Sequence, residues 1–227
     1  MTCCAAINED TGRLFSRFAA WHRLRFRLFG FERTQRQLLG GIRQAGIRGA
    51  TLLEIGCGPG YLHRALLRLG AERATGVDLS AGMLDTARAG AEAEGLAERT
   101  EYRQGDFTLM ADQIADADVV ILDKVICCYP DWLGLVQRSL GKAQRCYALT
   151  IPRDRALTRA AIRAMRWGLR GMGCCYQPFV HDPEEIDGRI REGGFRLVDE
   201  ARTPLWLTRT YTRGQADPKS VLEATSG

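Results

Sequence analysis

The chain has no long apolar run: nothing in its 227 residues approaches the ~20 consecutive apolar residues that cross a bilayer. No membrane span is therefore expected. Met1 to Asp10 lacks the basic-then-apolar order of a secretory signal, so the cytoplasm is the expected compartment. A large excess of one charge is also missing. The net charge is +5, from basic residues that are overwhelmingly arginine, and so modest an excess gives no reason to expect a nucleic-acid partner. The eight cysteines include no pair with two residues between them, the spacing of a zinc knuckle. Six of them form adjacent pairs instead, Cys3-Cys4, Cys127-Cys128 and Cys174-Cys175. Reduced, mostly buried thiols and no metal are the expectation.

What is present suits one folded domain: 45% apolar and 26% charged residues in 25.2 kDa, enough for a single substantial core. Residues 1–50 read as helical, residues 51–213 alternate strands with helices, and residues 214–227 have the composition of a disordered tail. From Thr11 to about Gly30, Leu14, Phe18, Trp21, Leu24 and Leu28 recur every three or four residues, with Arg13, Arg17, Arg23 and Arg27 interleaved. The expected arrangement is a lid helix that packs this apolar stripe on the domain. A membrane or partner-binding face is the other use of a basic amphipathic helix. Phe31 to Ala45 reads as a second helix.

The chain is organised around Thr51–Gly60, an apolar run that breaks into Gly56-Cys57-Gly58-Pro59-Gly60 and leads straight into an amphipathic segment from Tyr61 to Leu69. Strand, glycine loop and helix are the layout that brings backbone N–H groups up to a nucleotide-like ligand. Two features set this loop apart from a pyrophosphate cradle. Glu54 lies two residues before the first glycine, and Tyr61 stands where the dinucleotide fingerprint has its third glycine. A carboxylate there suits a ligand with a cationic amino group.

Further strands follow at Ala74–Ser80, Thr100–Gly105, Ala117–Val125 and Arg145–Pro152, separated by helical patterns. This alternation predicts an α/β fold with a mostly parallel sheet covered by helices on both faces. Asp78, beside Leu79, closes the second strand at an offset that suits contact with ribose hydroxyls; capping the next helix is the alternative use. Asp106-Phe107 offers a carboxylate for an exocyclic amine and a ring to pack beside a base, although Gly-Asp also makes a turn. Asp123 interrupts the most apolar strand near its ligand-binding edge, where it needs a cation or donors. Phe195–Glu200 and Leu205–Arg213 read as a closing pair of strands.

Glu54-Ile-Gly-Cys-Gly-Pro-Gly60, with these landmarks in order, resembles motif I of the class I S-adenosylmethionine (SAM) dependent methyltransferases. The likeness is good over roughly Arg48 to Pro152 and loose in the flanks. It implies a Rossmann-like, seven-stranded sheet with an antiparallel last strand, SAM as cofactor, and donor contacts at Glu54, Gly56, Cys57, Gly58, Gly60, Asp78, Leu79, Asp106, Phe107 and Asp123. It implies that the phrase Lys124–Asp131 faces the methyl group, and that residues of about 153–182 line an acceptor pocket. Within that pocket Tyr129 and His181 are the groups suited to steering or abstracting a proton, while His181 and Asp182 could instead cap the helix opening at Pro183.

The same phrase excludes some acceptors. The Pro-Pro motif of amino-methylating DNA enzymes is absent, and neither Cys127 nor Cys128 follows a proline as in cytosine-C5 enzymes. The phrase resembles an uncharacterised bacterial branch of the family, with a looser likeness to enzymes that methylate a porphyrin carboxylate. The expectation is methyl transfer to oxygen or carboxylate of a small-molecule substrate. Alternatives are a thiophilic, arsenite-like acceptor held by Cys127 and Cys128, and an inactive SAM-binding or partner-binding module. Oligomeric state is unknown from sequence.

Overall fold

A computed structural model of the chain describes residues 3–171 and 176–214. It opens with α1 (Cys3–Phe29) and α2 (Arg33–Gln44), followed by β1 (Thr51–Ile55), α3 (Tyr61–Arg68), β2 (Arg73–Asp78), α4 (Ala81–Ala93) and β3 (Thr100–Gln104). The short α5 (Phe107–Met110) leads to β4 (Ala117–Asp123), α6 (Trp132–Lys142), β5 (Ala143–Pro152), α7 (Ala156–Gly171), α8 (Pro183–Glu192), β6 (Phe195–Arg202) and β7 (Trp206–Arg213). The pair Cys174-Cys175 and the expected tail from Gln215 lie outside the described residues.

The seven strands form one sheet in the order β3-β2-β1-β4-β5-β7-β6. β1 to β5 run parallel, and β7 is antiparallel to both its neighbours. Alternation along the central strands divides the core in two. Leu53, Val120, Leu122 and Leu149 face one side, with Leu135 and Val136 of α6 and Ile186 and Ile190 of α8. Leu52, Val119, Ile121 and Ala148 face the other, with Leu38 and Ile42 of α2 and Leu62 and Leu66 of α3. Each large apolar side chain so buried is worth about 1.5–3 kcal/mol. Because the chain leaves β1 toward β2 and β3, then returns to β4 on the other side, a crevice opens beyond the carboxyl ends of β1 and β4, where open α/β sheets bind ligands.

Local details depart from the sequence expectation in informative ways. Ser80 does cap α4, its hydroxyl accepting from the Met83 N–H at 3.2 Å, so Asp78 is not the helix cap. Asp182, not His181, caps α8, accepting from the Glu184 N–H at 2.9 Å. The apolar stripe of α1 does not pack on the domain. Trp21 and Leu28 are 55% and 64% exposed, whereas Thr11, Gly12, Phe15, His22 and Phe26 turn inward. The reason is steric: α1 crosses so close to the β2–α4 turn that a Cβ on Gly12 would lie 2.8 Å from the Leu79 carbonyl oxygen. Ser16 Oγ meets Ser80 Oγ at 2.8 Å in the same crossing. Only small residues permit that approach, so the docking face is not the most apolar one.

Candidate active site

The crevice is a cavity of about 370 Å³, within the range of small-molecule pockets. Its floor is the glycine loop. Gly56 has φ +64°, and a Cβ there would strike Val125 Cγ2 at 2.5 Å, so the loop is closed to side chains at this point. Gly60 N-caps α3 in the left-handed region at φ 73°. The Gly58 N–H donates to Asp78 Oδ2 and the Ser80 N–H to Asp78 Oδ1, each at 2.8 Å. Both oxygens of Asp78 are thereby aimed by backbone, and each keeps a lone pair for a ligand hydroxyl. Burial raises the Asp78 carboxyl above its ordinary value, against the pull of those two N–H groups. Leu79, Cys57, Met83 and Phe107 complete this wall.

Glu54 borders the cavity but is only 2% exposed. Its Oε2 lies 2.6 Å from His63 Nδ1 and also accepts the His63 N–H at 3.3 Å. His63 Nε2 then meets the Tyr102 hydroxyl at 2.9 Å. A carboxylate only accepts, so the Nδ1 proton points at Glu54 and the imidazole acts as an orienting group behind the loop. His63 was not anticipated from the sequence; its position nine residues after Glu54, on the first turn of α3, was the available signal.

Asp123 ends β4 on the opposite wall. Gln35 Nε2 reaches its Oδ2 at 3.4 Å, while Oδ1 is buried without a hydrogen-bond partner among the described residues. Burial pushes this carboxyl up, opposed by the neighbouring Lys124, by the Thr150 hydroxyl on the paired strand β5 and by Gln35. With Thr150 Oγ1 as the nearby protein donor, this carboxylate oxygen on a cavity wall also has room for a ligand donor or cation. Beside it, Lys124 adopts φ +62°, a conformation unusual for a side chain larger than glycine. Its Nζ pairs with Glu32, which also pairs with Arg25, and it stands 5.3 Å over the Trp206 ring. Burial raises the Glu32 carboxyl, but Lys124 and Arg25 outweigh it and hold the group below its ordinary value.

The cysteine phrase forms the adjoining wall. Cys127 and Cys128 both border the cavity, with Sγ atoms 4.0 Å apart, and Cys128 Sγ meets the Tyr176 hydroxyl at 3.2 Å. Donation from Cys127 and Tyr176 lowers Cys128, and the shared proton raises Cys127. Tyr129 borders the cavity too, and its hydroxyl donates to Asp106 Oδ1 at 3.0 Å. Burial and that carboxylate push the phenol well above its ordinary value, so Tyr129 keeps its proton, donated to Asp106, and is not a base at neutral pH. Asp106 itself N-caps α5 through the Thr108 N–H and is not on the cavity wall; Gly105 and Phe107 on either side of it are.

His181 is not on that wall either. Its Nε2 lies 3.0 Å from the Tyr129 carbonyl, and its ring packs against Phe179 and Trp132. Of the three histidines, only His22 of α1 faces the cavity. Burial, then Arg25, lower its imidazole below the ordinary 6.5, with Lys124 adding to them and Glu32 opposing. Phe26 of the same helix stacks on Tyr61 with ring centroids 3.6 Å apart. Met165 of α7 and Trp206 of β7 close the far side.

Residues 52–142 match the family model described as a methyltransferase domain. Over these residues the chain carries a methyltransferase domain. The chain is 29% identical over 163 residues to the ubiquinone biosynthesis O-methyltransferase of Azorhizobium caulinodans, covering 68% of this chain and 62% of that protein. It is 32% identical over 158 residues to the protein of the same name from Ruegeria pomeroyi, covering 66% and 62%. The match thus spans less than two thirds of either relative. In structure it resembles magnesium protoporphyrin IX methyltransferase from Synechocystis PCC 6803 with bound SAH, at TM-score 0.64 and 18% identity over 80% of this chain and 82% of that one. At that identity the likeness concerns the methyltransferase fold alone.

The residues present fit SAM. The paired backbone-held oxygens of Asp78 suit a ribose diol, the buried Asp123 Oδ1 suits an ammonium group, and the open glycine loop admits close backbone approach.

Proposed function

We propose that the chain transfers a methyl group from SAM to an oxygen of a small, partly apolar acceptor. The observation that carries this reading is that one cavity joins the glycine loop and Asp78 to an apolar compartment under α1, α7 and Trp206, with a single imidazole, His22, on its wall. The names of the O-methyltransferase relatives support oxygen as the target. Bound SAM supplies an already activated methyl group, open to in-line displacement. The work left to the protein is alignment, water exclusion and removal of one proton, and alignment alone is worth up to about 7–11 kcal/mol. His22 takes the acceptor proton, being unprotonated at neutral pH. Tyr129, whose hydroxyl proton is held by Asp106, leaves its oxygen to accept a hydrogen bond from the acceptor, and His181 holds the Tyr129 carbonyl from behind. Phe26, stacked on Tyr61, shields the compartment from water. The test is transfer of labelled methyl from SAM into extracts containing small molecules, RNA and protein in separate fractions. Label in an organic-soluble small molecule is expected; label only in macromolecules, or no SAM heat by calorimetry, ends the reading.

A second acceptor is favoured by one observation, the two thiols of Cys127 and Cys128 set 4.0 Å apart on the cavity wall. Such a pair could clamp a trivalent, thiophilic metalloid. Arsenite added to the purified protein would then bind at one equivalent and be lost in Cys128→Ser. On the oxygen-acceptor reading no stoichiometric binding is expected, and Cys128→Ser keeps SAM affinity.

A further inference from the structure

We infer that α1 and α7 together form a docking face for an anionic lipid surface, a property separate from methyl transfer. The first observation is the outward stripe of α1. Phe18, Trp21, Leu24 and Leu28 follow at helical spacing, each 46% exposed or more, and none of them borders the cavity as Phe15, His22 and Phe26 do. The second is α7, where Thr158 is the one buried residue among the described side chains, and Leu157 and Trp167 stand 64% and 82% exposed. Large apolar residues this exposed on two helices at once are unusual for a free surface, even though Trp21 meets its helix neighbours His22 and Arg25.

Charge decides what covers them. Residues 11–29 hold five arginines and no acid, and residues 153–171 hold six arginines against Asp154. These two segments therefore carry about twice the whole chain's net charge of +5, and the remainder of the chain is net negative. Arg17, Arg23, Arg27 and Arg163 make no ion pair among the described residues. A second copy of this chain would bring arginine onto arginine across an isologous interface, which is repulsive. RNA would meet the arginines but would leave Leu24, Leu28 and Leu157 uncovered. A bilayer with acidic headgroups satisfies both sets: arginines at the phosphates, and Trp, Phe and Leu at the acyl boundary. Both helices also border the same cavity, through Phe15 and Phe26 on one and Met165 on the other.

The experiment is flotation of the full chain with phosphatidylcholine vesicles, with and without phosphatidylglycerol, at low and near-physiological salt. Binding is expected only with phosphatidylglycerol, accompanied by a blue shift of tryptophan emission that is reduced in Trp167→Ala. Leu24→Ser with Leu28→Ser should lose most of the binding, as should Trp167→Ala alone. Each arginine changed to glutamine, at 17, 23, 27 or 163, should weaken it about fivefold. These positions are outside the cavity, so SAM affinity and thermal stability should stay as in the parent chain and report that the fold is intact. No binding to acidic vesicles overturns the proposal. So does binding that the arginine variants remove but the leucine and tryptophan variants do not, which is the behaviour of a general polyanion site such as one for RNA. Sensitivity confined to one of the two helices overturns the joint face, and concentration-dependent dimerisation that the leucine variants abolish without lipid assigns it to a second copy.

Discussion

At the scale of single residues, the sequence marked the glycine loop and Asp78, which the fold draws together, and did not mark the imidazole that borders the cavity. Gly56, Gly58 and Asp78 are tied together by short-range chain geometry, a strand end, a turn and the next strand end, so spacing alone brings them to one place. Replacing Asp78 with Ala removes a charge-assisted pair of acceptors, and the expected loss is about 1.5–3 kcal/mol of SAM binding by calorimetry. Unchanged affinity would leave Asp78 with its loop-holding role alone. His22 belongs to the other kind of residue. Nothing local marks it, because its place over the cavity depends on how α1 crosses the β2–α4 turn, and His181 drew attention only by lying in an aromatic-rich segment. His22→Gln should lower kcat by about 10²–10⁴ with SAM affinity kept. In the parent chain kcat/KM should rise to a plateau through a pKa below 6.5, since burial and Arg25 depress the imidazole, and that acid limb should vanish in the variant. His181→Gln should show neither change. A His22→Gln enzyme within a few-fold of the parent would mean that alignment does nearly all of the catalysis.

At the scale of elements, periodicity located α1 and misassigned its faces. Leu14, Phe18, Trp21, Leu24 and Leu28 make the stronger apolar stripe, yet the domain takes the face with Thr11, Gly12 and Ser16 because a backbone carbonyl, that of Leu79, lies directly beneath. A rule that sends the most apolar face inward presumes side-chain packing on both partners, and here one partner is bare backbone. The sheet was easier to read, since β4 and β5 are apolar runs buried on both faces and bounded by turns. Gly12→Val tests the crossing. Its Cβ cannot fit against the Leu79 oxygen, so α1 must shift at a cost of about 1–3 kcal/mol, the range for overpacking. Limited proteolysis should then cut within residues 13–29 faster than in the parent, and SAM should bind more weakly because Leu79 lines the donor wall. Identical cleavage and affinity would show that the crossing is not what seats α1.

At the scale of the whole molecule, the cavity couples folding, ligand and pH. Among the described residues no helix is long and apolar enough to cross a membrane. Asp78 and Asp123 both have folded-state carboxyl pKa values raised above the ordinary 3.8, because burial disfavours their charge. For such groups the native state holds protons more tightly than the unfolded chain. Their contribution is most favourable below 3.8 and is lost as pH rises through the raised native values. His22 and His181, lowered by burial, act in the opposite sense: their contribution is present above 6.5 and is lost as pH falls through the depressed values. The two slopes overlap, so a melting curve of the parent chain alone cannot separate them, whereas Asp123→Asn leaves both histidines in place. Relative to that variant, the ligand-free parent should lose stability as pH rises from 3.8 toward neutrality. SAM should reverse the trend, because a cation beside the buried Asp123 oxygen favours the ionised carboxylate and draws its pKa back down. SAM binding should therefore release protons in this window, seen as a buffer-dependent calorimetric heat, and its affinity should rise with pH. In Asp123→Asn that part of the proton release and of the pH dependence should be gone. Equal proton release by parent and variant would place the cation elsewhere on the wall and leave the buried Asp123 oxygen without its ligand.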